Sequence, residues 1–311
     1  MSFVYEAAVL SASLLALVVF ADRLVDVAVR LAKALGISPT VIGLTLIAYG
    51  TSLPEFAVST IAAPTSSQIA IGNIIGSNIF NIAGIIGLVA FLGHLDKPVK
   101  GQGLMRDAWV MEASAALIIL LLFLNNGIGL ISGVLMASAL GAYTIYVLRD
   151  GNKKNNRAKK QGSISALKEF ARSLFCLGGL ILSARFTVDS SVNIAAMLGI
   201  SEWVIGATII AAGTSLPELM VSLAAAKKNQ IGLSLGNIIG SNIFNILWIL
   251  GIAAWISPME LAFSFIRMDA VFLAVTTTAL LYCVTRQKIT RLDGMLLLLL
   301  YTWYIAQLVT A

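Results

Sequence analysis

Residues 50–55 read GTSLPE, and residues 213–218 repeat the same six letters inside a second apolar segment. A longer motif follows each copy: residues 72–82 read GNIIGSNIFNI, and residues 236–246 match them at every position. The shift between the copies is 163 residues for the first motif and 164 for the second. One residue has therefore been inserted between the motifs, and the chain is an internal duplication.

The composition places the chain in a membrane. Of its 311 residues, 59% are hydrophobic and only 12% are charged, which is far from the balance of a soluble domain. A helix needs about 20 apolar residues to cross a bilayer. We expect an all-α integral membrane protein, with helices at about 3 to 34, 38 to 64, 67 to 92, 107 to 124, 127 to 148, 165 to 198, 202 to 226, 229 to 256, 265 to 285 and 290 to 309.

The longest polar loop predicts the orientation. Residues 149–164 form a basic linker, and cytoplasmic loops collect Lys and Arg. With this linker inside, 19 of the 21 Lys and Arg residues fall on the cytoplasmic side, and both termini lie outside. Because five helices precede the linker, residues 1–148 and 165–311 form two five-helix repeats of opposite orientation. Transporters often use such inverted repeats, with binding sites near the bilayer midplane.

Each GTSLPE motif is predicted to break its helix. Pro54 and Pro217 remove a backbone donor, and the glycine before each loosens the chain. A break at membrane depth frees carbonyl oxygens, which are tolerated only in a protein-lined site. A mid-membrane carboxylate costs at least ~2.5 kcal/mol and is by default functional. The candidate oxygen ligands are the carbonyls of Ala48 and Ala211, the hydroxyls of Thr51, Ser52, Thr214 and Ser215, and the carboxylates of Glu55 and Glu218.

The second motif adds amides and further hydroxyls. Its glycines and small residues allow close helix packing in a membrane. In a continuous helix, Ser77 and Asn81 share one face, as do Ser241 and Asn245, and both pairs are expected to meet the glutamates. Alternatively these side chains only satisfy freed backbone groups. That structural role is the preferred interpretation for the remaining amides of the motif, Asn73, Asn78, Asn237 and Asn242.

All the candidate ligands are oxygens, which favours a hard cation. Ca2+ and Na+ prefer carboxylate, carbonyl and hydroxyl oxygens, whereas a transition metal favours His or Cys, and Mg2+ gives up its water reluctantly. The only histidine, His94, lies in a loop. No cofactor is predicted. The net charge of +6 is accounted for by the cytoplasmic loops, so the expected partners are cations and membrane lipids, without nucleic acid or an obligatory protein partner.

The paired motifs resemble the alpha repeats of sodium/calcium exchangers, in the cation/calcium antiporter superfamily. The resemblance covers essentially the whole chain and implies Na+/Ca2+ exchange by alternating access, in which the first and sixth helices slide over the remaining bundle. It implies a central Ca2+ site formed by Glu55 and Glu218 with Thr51 and Thr214. It also implies one flanking Na+ site at the Ala48 carbonyl and Ser77, another at the Ala211 carbonyl and Ser241, entries lined by Ser52 and Ser215, and a polar centre completed by Asn81 and Asn245.

One position departs from a characterised archaeal member of the family, which has Asp where this chain has Asn245. The predicted pocket therefore carries two carboxylates and a formal charge of −2, which one Ca2+ or two Na+ would neutralise. This count leaves the stoichiometry open. It also leaves proton coupling open, because a carboxylate without a cation in a low-dielectric pocket can bind a proton instead. The proton-coupled branch, however, usually carries Gly-Asn-Ala-x-Glu, so the motif favours sodium.

Three other classes of protein are considered. A passive Ca2+ channel would not depend on a counter-ion. An intramembrane hydrolase lacks a His or Lys placed to activate a serine, so no enzymatic activity is expected. An H+/Ca2+ or other cation antiporter would take up Ca2+ along a pH gradient without Na+. The short cytoplasmic loop favours the plasma membrane of a prokaryote.

Overall fold

The computed structural model describes residues 2–96, 98, 103–154, 163–199 and 211–310. Two short strands, β1 (Gly127–Ile128) and β2 (Met259–Glu260), pair in antiparallel fashion. The helices are α1 (Phe3–Leu35), α2 (Pro39–Thr51), α3 (Leu53–Ala62), α4 (Ser67–Phe91), α5 (Leu104–Asn125), α6 (Leu130–Lys154), α7 (Ser163–Met197), α8 (Ala211–Gly213), α9 (Leu216–Lys227), α10 (Ile231–Ile256), α11 (Phe263–Thr285) and α12 (Arg291–Thr310).

These helices confirm the predicted all-α membrane class. In the described part of the chain, seven helices are long and apolar enough to cross a membrane, and the bent pair α2 and α3 makes an eighth. The start of the predicted helix 202 to 226 and residues 155–162 of the basic linker lie outside the described residues. The fifth predicted helix begins at Leu130 rather than at 127, because Gly127 and Ile128 pair with β2 instead.

Local sequence explains the turn between α1 and α2. Gly36 ends α1 in the left-handed region, with φ of 68°, a conformation that glycine adopts without steric strain. Ser38 then caps α2 by accepting a hydrogen bond from the Val41 N–H at 3.4 Å. Pro39 is the first residue of the new helix, where its missing N–H is no loss. A short loop is sufficient to reverse the chain here.

Helices α4 and α10, which carry the second motif, form the centre of the bundle. In their most apolar windows 78% and 83% of the residues are buried, compared with 17% in α1. On α1 the side chains of Leu15 and Val18 are mostly exposed, as expected for a helix that faces lipid. The two copies of the second motif therefore lie in the interior.

Helices α1 and α7, the first helices of the two copies, pack mainly against each other. Near one end Asn193 donates to Glu6 at 3.0 Å, and near the other Arg30 donates to Glu169 at 3.0 Å. These contacts join the start of one helix to the end of the other. The two equivalent helices are therefore antiparallel.

Helix α10 lies directly on α2, backbone to backbone. A Cβ added at Gly236 would lie 2.7 Å from the Thr40 carbonyl oxygen, and one at Gly240 would lie 2.5 Å from the Leu44 carbonyl oxygen. Only glycine permits this separation, which is the close contact expected of small residues in membrane helices. The contact joins the helix that leads into the first motif of one copy to the second motif of the other.

Three stretches of these helices are π-helical: Gly43–Ile47 in α2, Phe80–Ile86 in α4 and Asn245–Leu250 in α10. Such segments are rare and frequently occur at functional sites. Asn81 and Asn245, which are equivalent in the two copies, both lie in one. The sequence pattern did not predict the wider helical turn, which changes the face on which these amides project.

Candidate cation site

Both GTSLPE motifs break a helix, as predicted, and in the structure the break lies at the serine. The axes of α2 and α3 differ by 46° across Ser52. Ser52 and Ser215 have nearly the same backbone angles, φ −84° and ψ 11° against φ −93° and ψ 12°. Pro54 and Pro217 lie in the first turn of the helices that follow, where the missing N–H breaks no helical hydrogen bond. Each glutamate is thus placed in the first turn of a new helix.

The two glutamates are fully buried and are joined to the opposite copy. Ser215 donates its hydroxyl to Glu55 Oε1 at 2.8 Å, and Ser52 donates its hydroxyl to Glu218 Oε1 at 2.8 Å. Both carboxylates have no exposed surface. These reciprocal bonds bring the two halves of the duplication to a single site. Ser52 and Ser215 therefore contact the carboxylates directly.

Several oxygen atoms at this site lack a hydrogen-bond partner within the described residues. All are buried acceptors, and buried polar groups are normally paired. Five belong to predicted ligands, namely Glu55 Oε2, Glu218 Oε2, Thr214 Oγ1, Asn81 Oδ1 and Asn245 Oδ1. Buried oxygens that accept no hydrogen bond are available to coordinate a hard cation.

The carbonyl of Ala48 is not freed by the break, which corrects the prediction. It accepts the N–H of Ser52 at 3.2 Å, because α2 continues for one more turn before it ends. It also accepts the hydroxyl of Ser241 at 3.3 Å, and that hydroxyl lies 3.5 Å from Glu218 Oε1. The predicted partner of Ala48 was Ser77. Ser241 takes this place because the glycines of α10 bring it against α2.

The equivalent pair of residues, Ala211 and Ser77, is only partly covered by the described residues. Ala211 begins α8, which packs against α4, the helix that carries Ser77. Ser77 is buried. The residues immediately before Ala211 lie outside the described part of the chain. Ser77 and Ala211 are the residues equivalent to Ser241 and Ala48 in the duplication.

The two threonines of the first motif differ in their bonding. Thr51 donates to the Ile47 carbonyl at 3.0 Å and lies 3.3 Å from Asn237 Oδ1. Thr214 Oγ1 has no partner in the part of the chain that the structure describes. Both threonines therefore keep a lone pair available beside the glutamates.

Four asparagines of the second motif form a buried network between α4 and α10. Asn245 donates to Asn78 Oδ1 at 3.0 Å, and Asn81 donates to Asn242 Oδ1 at 3.3 Å. For Asn78 and Asn242 the preferred interpretation from the sequence was a structural role. In the structure both accept hydrogen bonds from the predicted ligands, Asn245 and Asn81, across the interface between α4 and α10. The signal available in the sequence was that both copies of the second motif have Asn at this position.

A second pair of amides holds the glutamate backbones. Asn73 donates to the Glu55 carbonyl and to Ser59 Oγ, at 3.3 and 2.9 Å. Asn237 repeats this pattern, donating to the Glu218 carbonyl and to Ser222 Oγ at 3.3 and 3.0 Å. The structural role expected for these asparagines agrees with the bonds. Ser59 and Ser222 were not predicted, and their only signal in the sequence is that a serine recurs four residues after each glutamate.

The donor set is poor in transition-metal ligands. Within the described residues no three His, Cys, Asp or Glu side chains cluster, and both cysteines are free and buried. The site combines two carboxylates with neutral hydroxyl, amide and carbonyl oxygens. Such a set suits the reversible binding of a hard cation.

Fold and site together define a class of protein. A helical membrane bundle that buries two carboxylates and unpartnered oxygens between duplicated broken helices is a cation transporter. The model of the sodium/calcium exchanger protein family matches residues 5–149 and 169–310. The chain belongs to this family of cation/Ca2+ exchangers, which are transporters rather than enzymes. Ca2+ and Na+ are therefore substrates and not cofactors.

Relatives of known name and structure support the assignment. The chain is 32% identical to the sodium/calcium exchanger MaX1 of Methanosarcina acetivorans, over 96% of this chain and 97% of that protein. It is 33% identical to the inner membrane protein YrbG of Escherichia coli, over 89% and 88%. It superposes on the sodium-calcium exchanger NCX_Mj, in a structure determined with zero Na+ and Ca2+, with a TM-score of 0.86. That match has 32% identity and covers 99% of this chain and all of the other.

Proposed function

We propose that this protein exchanges Na+ for Ca2+ by alternating access, with the cations bound at the bilayer midplane between Glu55 and Glu218. The observation that carries the proposal is the set of buried oxygens without donors around two carboxylates that belong to opposite copies. In this proposal Ca2+ lies between the two glutamates, with Thr51 and Thr214 beside it. The amide oxygens of Asn81 and Asn245 complete the centre.

Two flanking sites are proposed for Na+. The first uses the Ala48 carbonyl and Ser241, whose oxygens lie 3.3 Å apart. The second uses the Ala211 carbonyl and Ser77 by the symmetry of the duplication. Ser52 and Ser215 line the entries and orient the glutamates. Each flanking site thus takes one carbonyl oxygen from just before the first motif of one copy and one hydroxyl oxygen from the second motif of the other.

Charge neutralisation provides the coupling in this proposal. The two carboxylates give the pocket a formal charge of −2, which one Ca2+ or two Na+ would cancel. Carrying an unneutralised pocket through an occluded state would cost several kcal/mol, because buried charges without partners are strongly unfavourable. The protein therefore changes sides mainly when it is loaded. Exchange rather than leakage follows from this difference.

Helices α1 and α7 are proposed to move as a pair over the remaining bundle. They pack chiefly on each other and share hydrogen bonds along their length, including Thr187 to Ser13 at 2.9 Å. The breaks at Ser52 and Ser215 lie in other helices, which hold the site. The cations then stay in place while access changes from one side to the other.

Radioactive Ca2+ uptake into proteoliposomes tests the proposal. We expect uptake when the vesicles contain Na+ and none when they contain K+, because outward Na+ movement drives Ca2+ inward. Parallel vesicles with an acidic interior and no Na+ serve as the control for proton coupling. Uptake that follows the pH gradient without Na+ would assign an H+/Ca2+ antiporter instead.

We also propose that the two repeats, 1–148 and 165–311, have opposite orientations in a prokaryotic plasma membrane. Both termini lie outside, and the linker lies in the cytoplasm. The antiparallel packing of α1 and α7 supports the inversion. A membrane-impermeant maleimide is expected to label Ser2→Cys in intact cells, and Gln161→Cys in the linker only after permeabilisation. The native Cys176 and Cys283 are buried, so the unsubstituted protein is the blank. Labelling of the linker from outside would reverse the proposed topology.

A further inference from the structure

The two amide ligands of the proposed site, Asn81 and Asn245, can bind a cation only if the amide oxygen faces it. A carboxylate offers an oxygen in either rotamer, whereas an amide offers an oxygen on one side and an NH2 group on the other. Only the oxygen binds a cation. For Asn81 and Asn245 to serve as ligands, some neighbouring group must determine which atom faces the site.

For Asn245 the polarity follows from a backbone carbonyl. The carbonyl of Asn242 only accepts, and it takes the NH2 of Asn78 at 3.3 Å. Asn78 must therefore turn its oxygen away, and this oxygen accepts the NH2 of Asn245 at 3.0 Å. The oxygen of Asn245 is left on the opposite side, buried and without a partner among the described residues.

For Asn81 the polarity follows from a thioether. The sulfur of Met111 accepts weakly and donates nothing, and Asn242 directs its NH2 to it at 3.7 Å. The oxygen of Asn242 then accepts the NH2 of Asn81 at 3.3 Å. The oxygen of Asn81 is again left buried and unpartnered in the described structure.

We propose that Asn78 and Asn242 are positioning residues that set the amide polarity of the cation site, with Met111 as the starting acceptor on one side. Each side thus has a relay, meaning two successive hydrogen bonds between amides and their acceptors. Each relay begins at a group that only accepts and ends at an amide oxygen directed away from its asparagine partner. The four asparagines are fully buried, so their hydrogen bonds are made within the protein. This arrangement lets a neutral amide at position 245 present an oxygen while the pocket keeps its charge of −2. The inference rests on the proposed function, since it assigns a role at the same cation site.

The test combines Asn78→Leu with Asn245→Asp. In the native background Asn78→Leu removes the acceptor for the Asn245 NH2, so the amide loses its fixed polarity. We expect Ca2+ affinity to fall about tenfold, as for the loss of one buried hydrogen-bond partner. In the Asn245→Asp background the carboxylate offers oxygen in either rotamer, and the same substitution should change affinity less than twofold. In that background Asn78→Leu also removes an unfavourable contact between Asn78 Oδ1 and the carboxylate introduced at position 245.

Affinity is measured from the Ca2+-dependent rise in melting temperature of the purified, full-length protein in detergent, which needs no ion gradient. Asn73→Leu is the matched control: it lies on the same helix but bonds the Glu55 carbonyl, so its effect should be equal in both backgrounds. Equal loss of affinity for Asn78→Leu in both backgrounds, or no loss in either, would overturn the relay.

A milder variant keeps the inference testable if Asn78→Leu does not fold. Met111→Leu conserves volume and removes only the sulfur acceptor. It should weaken Ca2+ binding several-fold, and Asn81→Asp should cancel that loss; a loss that persists with Asn81→Asp would overturn the second relay. A native protein that Ca2+ does not stabilise at all would reject the proposed function. Stabilised native protein with unaffected relay variants would reject the relay alone.

Discussion

Glu218→Gln is expected to reduce Na+-driven Ca2+ uptake to the level of vesicles without protein. The substitution removes one of the two carboxylate charges that stabilise Ca2+ once it has lost its hydration shell. A pair of unit charges 4 Å apart contributes about 4 kcal/mol at an effective dielectric constant of 20, and Ca2+ carries two charges. A loss of affinity of more than about a hundredfold follows. Glutamine fits the same space, so folding should be retained.

The duplication makes Glu55→Gln a second test of the same prediction. Glu55 is held by Ser215 as Glu218 is held by Ser52, at 2.8 Å in each case, so the two variants should fail alike. Glu260→Gln is the control, because Glu260 is exposed on β2 and lies outside the site. Full Na+-driven uptake by either Glu55→Gln or Glu218→Gln would place the transport site elsewhere.

Gly240→Ala is expected to abolish uptake and to lower the melting temperature. The new Cβ would lie 2.5 Å from the Leu44 carbonyl oxygen and 2.8 Å from the Ala48 Cβ. Backbone atoms on two packed helices cannot yield locally, so α2 and α10 must separate. Overpacking of this kind typically costs 1–3 kcal/mol. The separation also withdraws Ser241, the next residue, from the Ala48 carbonyl.

Gly141→Ala is the matched control for this prediction. Gly141 lies on the exposed face of α6, and a Cβ there meets nothing within 4 Å in the described structure. Alanine favours helix over glycine, so the melting temperature should stay the same or rise. Circular dichroism follows unfolding, and proteoliposome uptake follows function. A Gly240→Ala protein as stable and active as Gly141→Ala would contradict the close packing of α2 and α10.

Much of the geometry of the candidate cation site was predictable from two short motifs. The helix breaks, the position of each glutamate in the first turn after the break and the all-oxygen ligand set follow from Pro, Glu, Ser and Thr at fixed spacing. The pairing of Ala48 was predicted wrongly, and Ser59 and Ser222 were missed. These errors concern contacts between segments that are distant along the chain or on different helices.

The physical reason lies in the range of the interactions. Hydrophobicity, the loss of a donor at Pro54 and Pro217, and the charge of a mid-membrane glutamate are properties of contiguous residues, and they appear in any reading of the chain. The serine that lies nearest to each carboxylate, at 2.8 Å, is more than 150 residues away along the chain, and only the packing of helices from the two copies decides this pairing. The orientation of the amides also depends on tertiary contacts, because on one side it starts from an acceptor, Met111, on a third helix. The motifs thus specify which atoms are available, and the tertiary structure specifies which of them face one another.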